Sequence, residues 1–154
     1  MTQQETLSTL NGLIETSIDG QKGFLNAAKH AHAPQLRSLF SEFAAECASS
    51  AGELRACVTK LGGTAETSGT TTGALHRGWT NLRTSLTSND DLALVEECER
   101  GEDHAKAQYA RAMKGDHATE VRMLLQRQHE GAVRHHDRIR DLRNEMKASA
   151  KAMS

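Results

Sequence analysis

The chain has 154 residues, enough for one core and too few for a second, so residues 1–154 are read as a single domain. Its 19 Lys+Arg against 20 Asp+Glu leave a net charge of −1, without the basic excess of a nucleic-acid binder. No apolar run approaches the roughly 18 residues of a membrane-spanning helix, and MTQQETLSTL lacks the basic and apolar regions of a secretory leader, so a cytoplasmic location is expected.

The 21 Ala and 16 Leu outnumber 4 Val and 3 Ile, and there is one Pro, a composition that favours helix over strand throughout. The first predicted helix covers 6–31, with Leu7, Leu10, Ile14, Ser17 or Ile18, Gln21, Leu25 and Ala28 at helical spacing. Gly12, Gly20 and Gly23 inside it each cost about 1 kcal/mol relative to Ala, which suggests close approach by another segment or a kink. Pro34 opens the second helix, 35–61, whose stripe is Leu36, Phe40, Phe43, Cys47, Ser50, Leu54, Cys57 and Leu61; Gly62-Gly63 ends it. After a polar loop, a short helix is predicted near 74–86, with Trp79 expected to plug the flank of the bundle and His76 or Arg77 to reach a carboxylate such as Asp19.

Ser88-Asn89-Asp90 offers cap chemistry for a third long helix, 91–113, striped by Leu92, Val95, Glu99, Glu102, Lys106, Tyr109 and Met113. The fourth, 118–147, carries Val121, Leu125, Gln128, Ala132, His135, Ile139, Leu142 and Met146, and residues 148–154 are expected to fray. Short turns at 31–34 and 114–117 make two antiparallel hairpins. The long connection 62–90 then implies a crossover, so the expected fold is an all-α, ferritin-like four-helix bundle. Acids at the start of the third helix and bases at the end of the fourth would meet across the second hairpin and suit both helix dipoles.

Function is less legible. All four stripes turn polar or small at similar depth: Ser17, Gln21 and Asp19; Glu46 and Ser50; Glu99 and Glu102; Gln128 and Ala132 with His135 or His136. Buried carboxylates are costly unless paired, protonated or metal-bound. One reading is a hydrogen-bonded network joining Glu99 or Glu102 to His136 and Gln128, in a non-enzymatic protein with a stress-related or interaction role. The other is a carboxylate–histidine centre for iron, manganese or zinc, with Glu46, Glu99, Glu102 and His136 as candidate ligands and oxidase- or storage-like activity. Against an intact di-iron site, no Glu-x-x-His occurs anywhere. His135 fits the same stripe as His136, while His30, His32, His104, His117 and His129 are expected in solvent. Cys47, Cys57 and Cys98 read as reduced, buried thiols, and no nucleophile motif or phosphate loop occurs. Leu13, Leu39 and Leu94 fall beside the stripes and widen the apolar surface, which points to a homodimer or larger assembly. A membrane-surface role is disfavoured, because the basic fourth helix already has an acidic partner.

Four phrases, LNGLIETSIDGQKGF (10–24), GALHRGW (73–79), ECERGEDHA (97–105) and HDRIRDLR (136–143), together resemble short bacterial four-helix-bundle proteins of the ferritin-like superfamily known as a domain of unknown function. The resemblance covers residues 5–143. It implies a ferritin-like bundle in a bacterial cytoplasm and supplies no functional residue to carry over. More distantly, the chain resembles ferritin-like stress proteins whose bundles hold metal, and it departs from them in lacking Glu-x-x-His.

Overall fold

The computed structural model describes residues 2–67, 79 and 90–153. Among these residues there are four long α-helices and no strands: α1 (Gln3–His30), α2 (Pro34–Lys60), α3 (Asp91–Met113) and α4 (Thr119–Ala152). The short helix predicted near 74–86, with His76 and Arg77, lies outside the described residues apart from Trp79.

Local chemistry sets the helix ends. α1 starts three residues before the predicted position because Thr2 and Glu5 form a capping box. Thr2 accepts from the Glu5 N–H at 3.1 Å, and the Glu5 carboxylate accepts from the Thr2 N–H at 2.9 Å. α2 has Pro34 in its first turn and Ala33 as a cap without a side-chain acceptor. Asp91, the first residue of α3, supplies the missing acceptor: its two oxygens take the backbone N–H groups of His32 at 2.8 Å and Ala33 at 3.0 Å. α2 ends at Gly62, whose φ of 83° only glycine adopts cheaply, with Gly63 N–H bonded to Val58 O and Gly62 N–H to Thr59 O, both at 3.0 Å. Asp90 caps α3 by accepting from the Leu92 N–H at 3.0 Å. α4 continues to Ala152, so the segment expected to fray is helical. Its alternating Ala and Lys are strong helix formers, and the lysines suit the C-terminal dipole.

Two apolar clusters fill the bundle. One joins Leu10, Ile14 and Ile18 of α1 to Leu54 and Val58 of α2, Tyr109 of α3, and Val121 and Leu125 of α4. The other joins Phe24 and Ala27 of α1 to Leu36, Phe40 and Phe43 of α2, Leu94, Val95 and Cys98 of α3, and Ile139 of α4. Early residues of α1 and α4 therefore share an end with late residues of α2 and α3. Both α2 and α3 run back towards that end, so the chain between them returns the length of the bundle. At about 1.5 Å per residue, the 27 residues of α2 span about 40 Å. Each hairpin packs closely, α1 also packs on α3, and α2 and α4 touch least among the adjacent pairs.

The stripes drift from their predicted phase. Phe24 and Ala27 are fully buried, whereas Leu25 is 50% exposed. Late in α2 the core takes Ala51, Leu54 and Val58, leaving Ser50 and Cys57 half-buried. The buried face of α1 keeps a seven-residue repeat, Leu10, Ser17 and Phe24 with Leu13, Gly20 and Ala27, and lies beside the Ile18–Leu25 line that spacing alone also allows. Leu13 and Leu94 are buried inside the bundle and Leu39 is half-buried, so these three leucines do not form the exposed surface read from the sequence.

Trp79 lies between α1 and α3. A Cβ built on Gly23 would come within 2.6 Å of its indole, and one on Gly101 would come closer still. Its ring meets Phe24 edge-on at 5.2 Å. Gly20 faces the Cys47 Sγ in the same way, whereas a Cβ on Gly12 would meet nothing within 4 Å. Only two of the three α1 glycines therefore answer to close approach. Opposite effects are expected from two alanines. Gly12→Ala should raise stability by about 0.5–1 kcal/mol through helix propensity alone. Gly101→Ala should lower it by about 1 kcal/mol or more, because overpacking against a rigid indole outweighs the same gain. Urea midpoints measure both.

Candidate functional site

The polar residues of the middle turns sort into three groups. The first crosses the bundle from α1 to solvent. Ser17 Oγ lies 3.4 Å from the Tyr109 hydroxyl, which donates to Gln128 Oε1 at 2.8 Å. Gln128 Nε2 donates to Ser50 O and Glu53 Oε1, each at 3.2 Å, and Arg127 donates through both terminal nitrogens to Glu53, at 3.2 and 2.6 Å. Burial pushes the Tyr109 phenol well above its ordinary pKa, so it remains a donor. Gln128 thus belongs to this chain of bonds and not to a network with Glu99 or His136.

The second group centres on His135. Its Nε2 bonds to Glu46 Oε2, and its Nδ1 faces Glu102 Oε1 at 3.8 Å. The imidazole stacks on Phe43 with centroids 4.1 Å apart and an interplanar angle of 21°. Burial alone would lower its pKa; bonding and charge from Glu102, then Glu46, more than reverse this and hold it above the usual 6.5. Glu102 is 3% exposed, and among the described residues its Oε2 has no hydrogen-bond partner.

The third group runs along the seam between α3 and α4. His136 Nε2 meets Asp103 Oδ1 at 2.7 Å and approaches Glu99 Oε2 at 3.9 Å, while its Nδ1 meets Asp137 Oδ1 at 3.2 Å. Glu99 also accepts from Arg143, and Lys147 approaches Glu96 at 3.6 Å. The acid-to-base pairing expected across this hairpin is therefore present.

The candidate residues consequently divide. Glu46 and Glu102 meet around His135, while Glu99 and His136 meet elsewhere on the seam. Both histidines face inward, because consecutive residues straddle the stripe and each finds carboxylates on its own side. Among the described residues, no group of three or more His, Cys, Asp and Glu is arranged to hold a metal ion. No described helix is long and apolar enough to cross a membrane.

Other readings change as well. His117 is buried, bonded through Nε2 to Ala112 O at 2.9 Å and through Nδ1 to Thr6 Oγ1 at 3.2 Å; its position in a turn had suggested solvent. His104 and His129 are half-buried, while His30 and His32 are exposed. Cys98 is fully buried, with its thiol pushed far up by burial and then by Glu102 and Glu97, which makes it inert; Cys47 and Cys57 are half-buried. Sequence reasoning missed Glu97, 1% exposed and bound to Arg100 of its own helix, and Gly101, whose mid-helix position carried the signal already read in Gly23.

A cavity of about 290 Å³ lies beside the first two groups. Ser17, Glu46, Trp79, Glu102, Tyr109 and His135 line it, with Gly101, Ala105 and Ala132 leaving room. It lies next to the least-packed pair, α2 and α4, where the exposed Ser49 and Arg134 are also part of its lining.

A family model described as a domain of unknown function (DUF2383) matches residues 5–115, well over half of the chain, and the chain belongs to that family. The matched span contains α1, α2, α3, Trp79, Glu46 and Glu102, and stops before α4 and its histidines. No curated protein matches the chain.

The raised His135 pKa fixes the sign of a pH effect. Its stabilisation is fully present below the unfolded value of about 6.5 and is lost as pH rises through the higher folded value. The stability difference between the wild type and His135→Gln should therefore be largest near about pH 6 and shrink towards about pH 9. Urea midpoints across that range measure it, and a constant difference would contradict the assignment.

Proposed function

We propose that this member of the DUF2383 family is a non-enzymatic, ferritin-like four-helix bundle that holds a small ligand in the cavity at its middle. The parallel course of α2 and α3, with the connection returning along the bundle, supports the ferritin-like reading. The observation that carries the binding role is Glu102: a carboxylate in the cavity wall, almost wholly buried, with one oxygen lacking any donor among the described residues. Leaving such a group unsatisfied costs at least about 1–3 kcal/mol, which a scaffold built only for stability avoids with leucine.

The donors fit a two-metal centre poorly. Glu99 is taken by Arg143 and His136, while Glu46 and Glu102 sit at opposite nitrogens of His135, and one imidazole ligates a given metal through one nitrogen. A guanidinium on Glu99 also places positive charge where a cation would bind. The expected result of elemental analysis, on protein purified without chelator and exposed to iron, manganese and zinc, is less than one metal per chain. Stoichiometric metal would favour the carboxylate–histidine alternative.

The binding role itself is tested with a fragment set spanning cationic, neutral and anionic molecules, followed by amide chemical shifts. Binding should move the resonances of Gly101, Ala105 and Ala132 and leave those beyond Arg143 in place. Ala105→Leu, which fills the cavity from α3, should abolish the shifts. If no fragment perturbs the three cavity residues, the role is refuted.

A further inference from the structure

We infer that the ligand is an organic cation, a small primary amine or amidine whose charged group is received by Glu102. The inference rests on the binding role proposed above and names its ligand class.

Hydrogen-bond accounting along the cavity wall carries it. Among the described residues, most strong inner donors are already committed: the Tyr109 hydroxyl to Gln128, the Gln128 amide to Ser50 and Glu53, the Arg127 guanidinium to Glu53, and His135 Nε2 to Glu46, while His135 Nδ1 faces Glu102 Oε1 at 3.8 Å. The open capacity is an acceptor, Glu102 Oε2. Among the described residues, an anion entering this space would meet His135 Nδ1 only beside Glu102, and would face the carboxylates of Asp19, Glu46 and Glu102. A neutral acceptor such as a ketone would leave Oε2 unsatisfied. An ammonium or amidinium brings the missing donor and the opposite charge, and hydrogen bonds between charged partners are about twice as strong as neutral ones.

Charge and size agree. Glu53 is neutralised by Arg127, and Arg134 and Glu46 both reach solvent, so the buried part of the wall carries the carboxylates of Glu102 and Asp19 beside the His135 imidazole. The space is about 290 Å³, roughly twice the 150 Å³ of an engineered cavity that admits benzene, and far more than a bare metal ion needs. Apolar wall from Trp79, Ala105 and Ala132 suits the carbon body of such a ligand. Entry from the α2–α4 side leads past the small residues Ser49, Ser50 and Gly131.

Three near-isosteres separate the possibilities, and Trp79, the sole tryptophan, reports from the wall. Benzylamine, benzyl alcohol and benzoate are titrated into the full chain while tryptophan fluorescence and melting temperature are followed. Benzylamine should change the emission saturably and raise the melting temperature, and benzyl alcohol and benzoate should bind at least about tenfold more weakly. Glu102→Gln should weaken benzylamine at least about tenfold while leaving the alcohol unchanged, with circular dichroism confirming that the variant is folded. If Glu102→Gln fails to fold, the comparison of the three probes on the wild type still decides. Equal or tighter binding of the alcohol or of benzoate overturns the cation assignment and leaves the binding role standing. Binding of none of the three, together with an unresponsive fragment set, removes both. Unchanged benzylamine affinity in folded Glu102→Gln overturns the role of Glu102.

Discussion

Two hairpins can form one bundle only if a face of each accepts the other, and here that face is built around an indole. Trp79 fits between α1 and α3 because Gly23 and Gly101 have no Cβ to oppose it. Each glycine costs helix stability in isolation, about 1 kcal/mol against alanine, and the cost is offset by burying aromatic surface against Phe24 and the two backbones. With α1 and α3 joined in this way, α2 and α4 on the other side remain less tightly packed. The cavity beside them is thus tied to where the bundle is sealed most firmly.

Charge is buried with partners rather than avoided. Glu97 turns to Arg100 within its own helix, Glu99 to Arg143 across the seam, and Glu102 to an imidazole that the half-exposed Glu46 also bonds. Removing one partner of a buried pair is far more damaging than never having had the pair, about 3–5 kcal/mol where burial is complete. Such pairs therefore specify register: α4 cannot slide one turn along α3 without stranding His136 and Arg143 together. Asp91 acts similarly at the end of the bundle, where a residue of the second hairpin supplies the hydrogen bonds that the turn of the first lacks. Among the described residues, Glu102 keeps one oxygen without a partner even so.

Much of this was legible from residues alone, and the limits have physical causes. Helix number, order and turns followed from spacing, Pro34, Gly62 and Asp90, because these act locally. The burial of Phe24 in place of Leu25 did not follow, because Leu10–Ser17–Phe24 and Ile18–Leu25 are both seven-residue lines and spacing alone does not choose between them. A helical wheel says which face a residue occupies but not which neighbour meets it. Glu46, Glu99, Glu102 and His136 were expected to share one layer, and their division between His135 and His136 depends on how α3 and α4 are rotated against α2. His117 was misjudged because its partners, Thr6 and the Ala112 carbonyl, come from remote chain and from backbone, neither of which leaves a pattern in side-chain spacing.

The parallel course of α1 and α4 has a mechanical consequence. Both start at one pole of the bundle and end at the other, so Gln3 and Ala152 lie at opposite poles. Tension applied between those two points runs along the helix axes. The helices must then slide past one another, and the seam pairs, the cavity wall and the indole between its glycines are loaded together. In a bundle whose helices simply alternated up and down, the same two points would share a pole and the helices would peel apart contact by contact. Forced unfolding is governed by the height of the unfolding barrier and not by equilibrium stability. Pulled in this way, the bundle should withstand more force than its marginal equilibrium stability alone would suggest.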